Sequence, residues 1–162
     1  MNSVQLSPHF SLSEFTRSQA AARLGREVVV EAGSEVFGNL GRLCLTVLEP
    51  LRIIVGGPVV ILSGFRPEWL NSLVGGSRTS DHLLGLAADL IVPGRTPLEV
   101  CELVRGAGLP FRQCIHEFGR WCHLSAPRVG EEPRRECLTA RSENGRTRYL
   151  AGLLPATDQE VA

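Results

Sequence analysis

Ser80-Asp81-His82-Leu83-Leu84-Gly85-Leu86-Ala87-Ala88-Asp89-Leu90-Ile91-Val92 sets a histidine in a glycine-punctuated stretch and a carboxylate in the middle of an apolar run. Residues 87–92 read as a strand. An unpaired charge inside such a strand costs several kcal/mol unless a partner or a metal offsets it. The blander reading has Asp89 facing solvent or capping a turn. Downstream, Trp121-Cys122-His123 supplies a second imidazole on another strand. Two imidazoles and one carboxylate match zinc in ligand type, and three protein ligands leave a tetrahedral corner open. Zinc in such a site lowers the pKa of water from about 15.7 to roughly 7, which points to hydrolysis. The ligand set is therefore His82, Asp89 and His123, with one Zn2+ per chain.

Upstream, Val59-Val60-Ile61-Leu62 is a β-branched run between turn residues and reads as a buried strand. It leads into Ser63-Gly64-Phe65-Arg66-Pro67, where Pro67 opens a short helix through Asn71. Val74-Gly75-Gly76-Ser77 is then a flexible loop back to His82. Residues 35–55 carry apolar side chains at three- and four-residue steps, the pattern of an amphipathic helix. Pro50 kinks or divides that helix, and Gly56-Gly57-Pro58 ends it. Residues 1–18 read as an extended arm with a serine-capped turn at Glu14 and Phe15.

Thr96, Pro97 and Glu99 form a capping box for a helix to about residue 107. Residues 113–118 and 121–125 flank Gly119-Arg120 as a hairpin, and Asn144-Gly145 marks a second one. Helices that precede and interrupt hairpin-linked strands make the class α+β, a small antiparallel sheet with helices packed on one side. One domain is expected over residues 1–154, with 1–18 as its N-terminal arm and 128–154 as a C-terminal hairpin. Residues 155–162 read as a flexible tail.

Composition narrows the function classes. Of the 162 residues, 43% are hydrophobic, enough for a core, and 17 basic side chains balance 17 acidic ones. A neutral chain lacks the basic footprint of a nucleic-acid binder, and its apolar runs are too short to span a bilayer. The N-terminal residues show no positive region followed by an apolar core, so no secretory signal is expected. The five cysteines are scattered, without a CxxC, and read as reduced buried thiols. Cys114 and Cys122 can approach each other on the hairpin, which leaves one disulfide open.

Glu117 lies across the predicted turn from His123 and is the candidate general base; its plain alternative is a solvated hairpin acid. His116, its neighbour, is the other candidate base. Strand alternation lets only one of the two face the metal, and the hairpin register decides which. Arg66 suits a substrate carboxylate or an oxyanion, or else an ordinary ion pair. Ser80 fits substrate or the ligand loop. Asn71 reads as a brace for the Arg66 loop. Trp121 shares a face with His123 and would floor the site, or equally belong to the core.

Ser-x-His-x6-Asp followed by Trp-x-His resembles the zinc D-Ala-D-Ala metallopeptidases, cell-wall carboxypeptidases and endopeptidases whose fold is shared with hedgehog signalling domains. The similarity runs over about residues 9–125. It includes His9-Phe10-Ser11-Leu12-Ser13-Glu14-Phe15, Leu48-Glu49-Pro50-Leu51-Arg52, Ser63-Gly64-Phe65-Arg66, Asn71 with Val74-Gly75-Gly76, and Ile115-His116-Glu117-Phe118-Gly119-Arg120-Trp121-Cys122-His123. It is closest to the phage and prophage branch. The resemblance implies zinc on His82, Asp89 and His123, Glu117 as acid/base and Arg66 as an anchor for substrate or transition state. Many relatives carry the acid three residues before the last histidine, where this chain has Arg120; the Glu-Phe-Gly-x-Trp form keeps Glu117 as the candidate.

The implied substrate is a peptidoglycan peptide, with no nucleic-acid or membrane partner, and the expected state is a monomer. The implied setting is synthesis in the cytoplasm, or in a phage-infected host, with action at the wall after release or delivery. The alternative is a non-catalytic, zinc-stabilised wall-binding or virion module. A cysteine hydrolase using Cys122 or Cys114 is a third reading.

Overall fold

The computed structural model describes residues 4–161. Six strands, β1 (Val60–Ser63), β2 (Ala87–Ile91), β3 (Gln113–Glu117), β4 (Trp121–Ser125), β5 (Glu136–Glu143) and β6 (Arg146–Ala151), form one sheet in the order β1-β2-β4-β3-β5-β6. Every neighbouring pair is antiparallel except β3–β5, which is parallel. The α+β class anticipated from the order of helices and strands is the one observed.

Two tight turns set the hairpins. Phe118 and Gly119 both have positive φ (54° and 65°), and Arg120 N–H donates to the Glu117 carbonyl at 2.9 Å. That is the type I′ geometry whose twist matches paired strands. Its central pair falls one residue earlier than Gly119-Arg120. Asn144 and Gly145 (φ 51° and 75°) make the corresponding turn between β5 and β6.

Among the described residues, seven α-helices accompany the sheet: α1 (Leu12–Thr16), α2 (Gln19–Arg23), α3 (Glu35–Leu43), α4 (Glu49–Val55), α5 (Glu68–Leu73), α6 (Pro97–Gly106) and α7 (Asp158–Val161). A π-helical turn at Cys44–Leu48 joins α3 to α4. Pro50 has no amide hydrogen to donate, so the ladder loosens just ahead of it and the helix resumes with the proline in its first turn. Gly56 ends the run with φ 67°. The Thr96–Glu99 capping box forms as its sequence suggested, with Thr96 N–H donating to Glu99 Oε2 at 2.7 Å. Pro67 stands one place earlier than expected, as the N-cap of α5.

The N-terminal arm is more than extended chain. Gln5 bridges to Ser11, Glu14 accepts from both the amide and the hydroxyl of Ser11, and Phe10 and Phe15 are buried in the core. Burying each phenylalanine contributes roughly 1.5–3 kcal/mol, which holds α1 against β1. His9 ties the arm to α4 through Glu49 Oε2 at 2.8 Å. Residues 155–161, expected as a tail, fold back on the hairpin: Arg141 donates to the Pro155 carbonyl at 2.9 Å, and Glu160 caps Thr157.

The sheet has two unlike faces. Cys114, Cys122 and Leu124 point into the core against α6, where Cys114 Sγ lies 3.9 Å from the Cys101 carbonyl. The opposite face carries Asp89, His123 and Glu117 and forms the floor of a cleft of about 920 Å3.

Candidate active site

Three separate elements bring the ligand set together. Asp89 on β2 is the register partner of His123 on β4, so their side chains leave the sheet side by side on one face. His82 comes from a 3-10 turn, Asp81–Leu84, capped by Ser80 Oγ accepting from His82 N–H at 3.3 Å. Gly85 (φ 70°) ends that turn and sends the chain into β2. His82 Nε2 lies 3.2 Å from Asp89 Oδ1 and 3.2 Å from His123 Nδ1, and His123 Nδ1 lies 2.9 Å from Asp89 Oδ1. Zinc bonds of about 2.0–2.2 Å in a tetrahedral array space their ligand atoms roughly 3.3–3.6 Å apart. The three donors are therefore near ligand spacing, and their chemistry fits zinc.

The surroundings orient these groups. His82 Nδ1 donates to the Gly64 carbonyl at 2.6 Å; a carbonyl can only accept, so the proton sits on Nδ1 and Nε2 offers its lone pair to the shared point. Burial lowers the His82 pKa, and Asp89 opposes that only in part, which favours the neutral imidazole a metal requires. Burial alone would raise Asp89, but His82 and hydrogen bonds with His123 and His82 outweigh it and hold the carboxyl well below the usual range. For His123 burial is likewise outweighed, here by Asp89 and Glu117, and the pKa is raised. Arg66 Nη2 reaches Asp89 Oδ2 at 3.4 Å, while its buried Nε has no partner among the described residues.

Hairpin register decides between the two candidate bases. Ile115 pairs with His123 and Glu117 with Trp121, so Glu117 stands on the cleft face. Trp121 Nε1 donates to Glu117 Oε2 at 2.8 Å, and the Trp121 ring meets Phe118 edge-on. Burial pushes the Glu117 carboxyl up, a raise that His123 opposes and Asp89 reinforces. His116 alternates to the opposite face, where its Nδ1 hydrogen-bonds the Leu154 carbonyl at 2.8 Å. It does not line the cleft.

Asn71 also sits elsewhere than expected. Its Nδ2 donates to the Ser77 carbonyl at 2.9 Å, bracing the loop before His82 rather than the Arg66 segment. Gly76 packs so close to that amide that a Cβ would come 2.1 Å from Asn71 Oδ1. Ser80 lines the cleft as well as capping the His82 turn. Cys114 and Cys122 are fully buried on the helix side and unbonded, their sulfurs 3.8 Å apart; with Cys101 they form a cluster away from the cleft.

Several contributors had no signature in the sequence. Arg112 Nη1 pairs with Asp81 Oδ2 at 2.6 Å beneath the His82 turn. Leu138, Thr147 and Tyr149 of the C-terminal hairpin line the cleft. Burial raises the Tyr149 phenol, with Glu117 and Asp89 adding to it.

A family model described as Peptidase M15 matches residues 8–125, a span that holds all three ligand-type residues, Arg66 and Glu117. The chain belongs to the peptidase M15 family. Peptidases of this family are zinc-dependent, in agreement with a histidine–aspartate–histidine group of near-ligand spacing. A search of curated proteins finds no match. No helix among the described residues is long and apolar enough to cross a membrane.

Proposed function

We propose that this M15 peptidase hydrolyses a peptide bond in peptidoglycan stem or cross-bridge peptides, with zinc held by His82, Asp89 and His123. The observation that carries the reading is the placement of Glu117 on the same sheet face as His123, two pairs along the hairpin from the ligand row. When bound, zinc supplies Lewis acidity and lowers the pKa of water toward neutrality. Glu117 takes a proton from the attacking water and later delivers it to the leaving amine. Its raised pKa suits a group that must both accept and return a proton near neutral pH. Trp121 holds one carboxylate oxygen by hydrogen bond, which leaves proton exchange to the other. Arg66, which lines the cleft, steadies the developing oxyanion.

The D-amino-acid substrate class and a role in phage-type wall cleavage, at lysis or entry, come from the resemblance of the motifs. We also read residues 1–154 as one domain acting as a monomer. Such an enzyme would be made in the cytoplasm and meet the wall after release or delivery. The test is digestion of purified peptidoglycan by zinc-loaded protein, with and without chelator, the new termini read by mass spectrometry. New peptide termini that vanish with chelator and with Glu117→Gln are expected. A Glu117→Gln protein that keeps both its zinc and full turnover would remove Glu117 from the mechanism. Tight wall binding without any new terminus would replace hydrolysis with a binding role.

A further inference from the structure

The cleft continues past the part of the chain that the family model covers. Glu117 pairs with Trp121 on one side and with Ala140 on the other, and Ala140 pairs with Tyr149. Register partners share a face, so Trp121, Glu117, Ala140 and Tyr149 form one row across β4, β3, β5 and β6 on the cleft side. Neighbouring strands lie roughly 4.8 Å apart, which sets Tyr149 about 10 Å of backbone from Glu117. The residue between them is a buried alanine, too small to wall one off from the other. Thr147 shares the face of Tyr149 by alternation, and both line the cleft. Both lie beyond residue 125, where the family match stops.

The order of groups gives this side a chemical meaning. The ligand-type residues stand on β2, on β4 and on the turn before β2; Glu117 comes next on β3, and the hairpin lies beyond it. A group that protonates the leaving amine stands beside that amine. The amine side of the scissile bond therefore points toward β5 and β6.

An enzyme that released one terminal residue would hold its free carboxylate there with a cation. The hairpin offers none to the cleft. Its residues that line the cleft are Leu138, Thr147 and Tyr149. Arg141 and Arg148 alternate to the other face, where they engage the Pro155 carbonyl and Glu143. Tyr149, half exposed, presents instead a flat apolar ring with a hydroxyl at its edge.

Resting on the peptidase reading above, we propose that Tyr149 and Thr147 form a subsite for an extended peptide segment on the amine side of the cut bond, so that the enzyme cleaves within peptides rather than trimming a single C-terminal residue.

Two synthetic stem peptides with the same acyl side test this on the zinc-loaded full chain. One ends in a single leaving D-alanine; the other continues for three residues past the scissile bond to an amide. The wild type is expected to show the higher kcat/KM on the extended peptide. Tyr149→Ala is expected to lower the ratio of extended to short by about fivefold, the scale of one aromatic contact. Tyr149→Phe should keep most of the ratio, and Thr147→Ala should lower it less. Melting curves check that each variant folds; a selectivity ratio is a readout that general loosening of an edge strand does not move. A wild type that prefers the single-residue leaving group overturns the proposal, and so does a ratio unchanged in both Tyr149→Ala and Thr147→Ala. In either case the peptidase reading survives. A wild type that cuts neither peptide and leaves peptidoglycan intact sinks both.

Discussion

Gly64→Ala should damage stability and zinc affinity together, because Gly64 serves both. Its φ is ordinary, so an alanine meets no backbone penalty and only space decides. A Cβ at this position would stand 2.6 Å from Cα and Cβ of Phe15 and 2.7 Å from its carbonyl oxygen. Non-bonded carbons settle about 3.5–4.0 Å apart, so α1 and the segment after β1 must part by roughly 1 Å. Phe15 is wholly buried, and its carbonyl accepts from Phe65 N–H at 2.9 Å, so the packing resists that shift. Overpacking of this kind costs about 1–3 kcal/mol. At roughly 2–4 °C per kcal/mol for a domain of this size, the metal-free protein should melt about 6 °C lower. The carbonyl that receives His82 Nδ1 moves with the chain, and loss of such an orienting partner costs roughly 10–100-fold in metal affinity. Differential scanning calorimetry and chelator competition measure the two effects. Gly38→Ala is the matched control: a Cβ there meets nothing within 4 Å, and the site lies inside α3. It should gain roughly 1 kcal/mol of helix propensity and leave zinc binding alone. A Gly64→Ala protein with wild-type melting temperature and zinc affinity would refute the packing argument.

Three other expectations follow from the site. Asp89→Ala should lose more zinc affinity than the roughly 10–100-fold cost of an outer-shell partner. It also leaves Arg66 without its carboxylate, so both metal titration and urea unfolding should register the change. Because burial raises Glu117, and a base must be deprotonated, the acid limb of kcat/KM should have its midpoint above the ordinary glutamate value of about 4.3. A raised folded-state pKa gives stability that is present at low pH and lost as pH rises through that value, so Glu117→Gln should melt no lower than wild type at pH 7. Arg112→Met strands Asp81, whose side chain is 2% exposed, and should cost about 3 kcal/mol in denaturant unfolding; adding Asp81→Asn should restore part of the loss.

Much of the fold could be read locally. The 35–55 periodicity, the Thr96–Glu99 box and the Asn144-Gly145 turn each depend on residues within a few positions of one another, and each appears where its pattern lies. Asp89 stood out because a carboxylate is costly inside an apolar strand, and His82 and His123 because two imidazoles complete a zinc-type ligand set with it. The bracing role of Asn71 was misplaced, and Arg112, the Gly64 carbonyl and Tyr149 were missed. Their partners lie elsewhere in the chain: Arg112 meets Asp81 31 positions away, and His82 meets the Gly64 carbonyl at a separation of 18. No local period reports such distances.

The sequence by itself determined the class of fold, the place of the hairpin turns to within a residue and the residue types able to hold a metal. Only the tertiary structure decided which side chains share the cleft. Alternation along β3 let either His116 or Glu117 face it, and a one-residue change in pairing would exchange them. The parallel β3–β5 pairing then placed Ala140 beside Glu117 and Tyr149 one strand beyond it, a pairing that joins remote strands and leaves no trace in nearest-neighbour pattern.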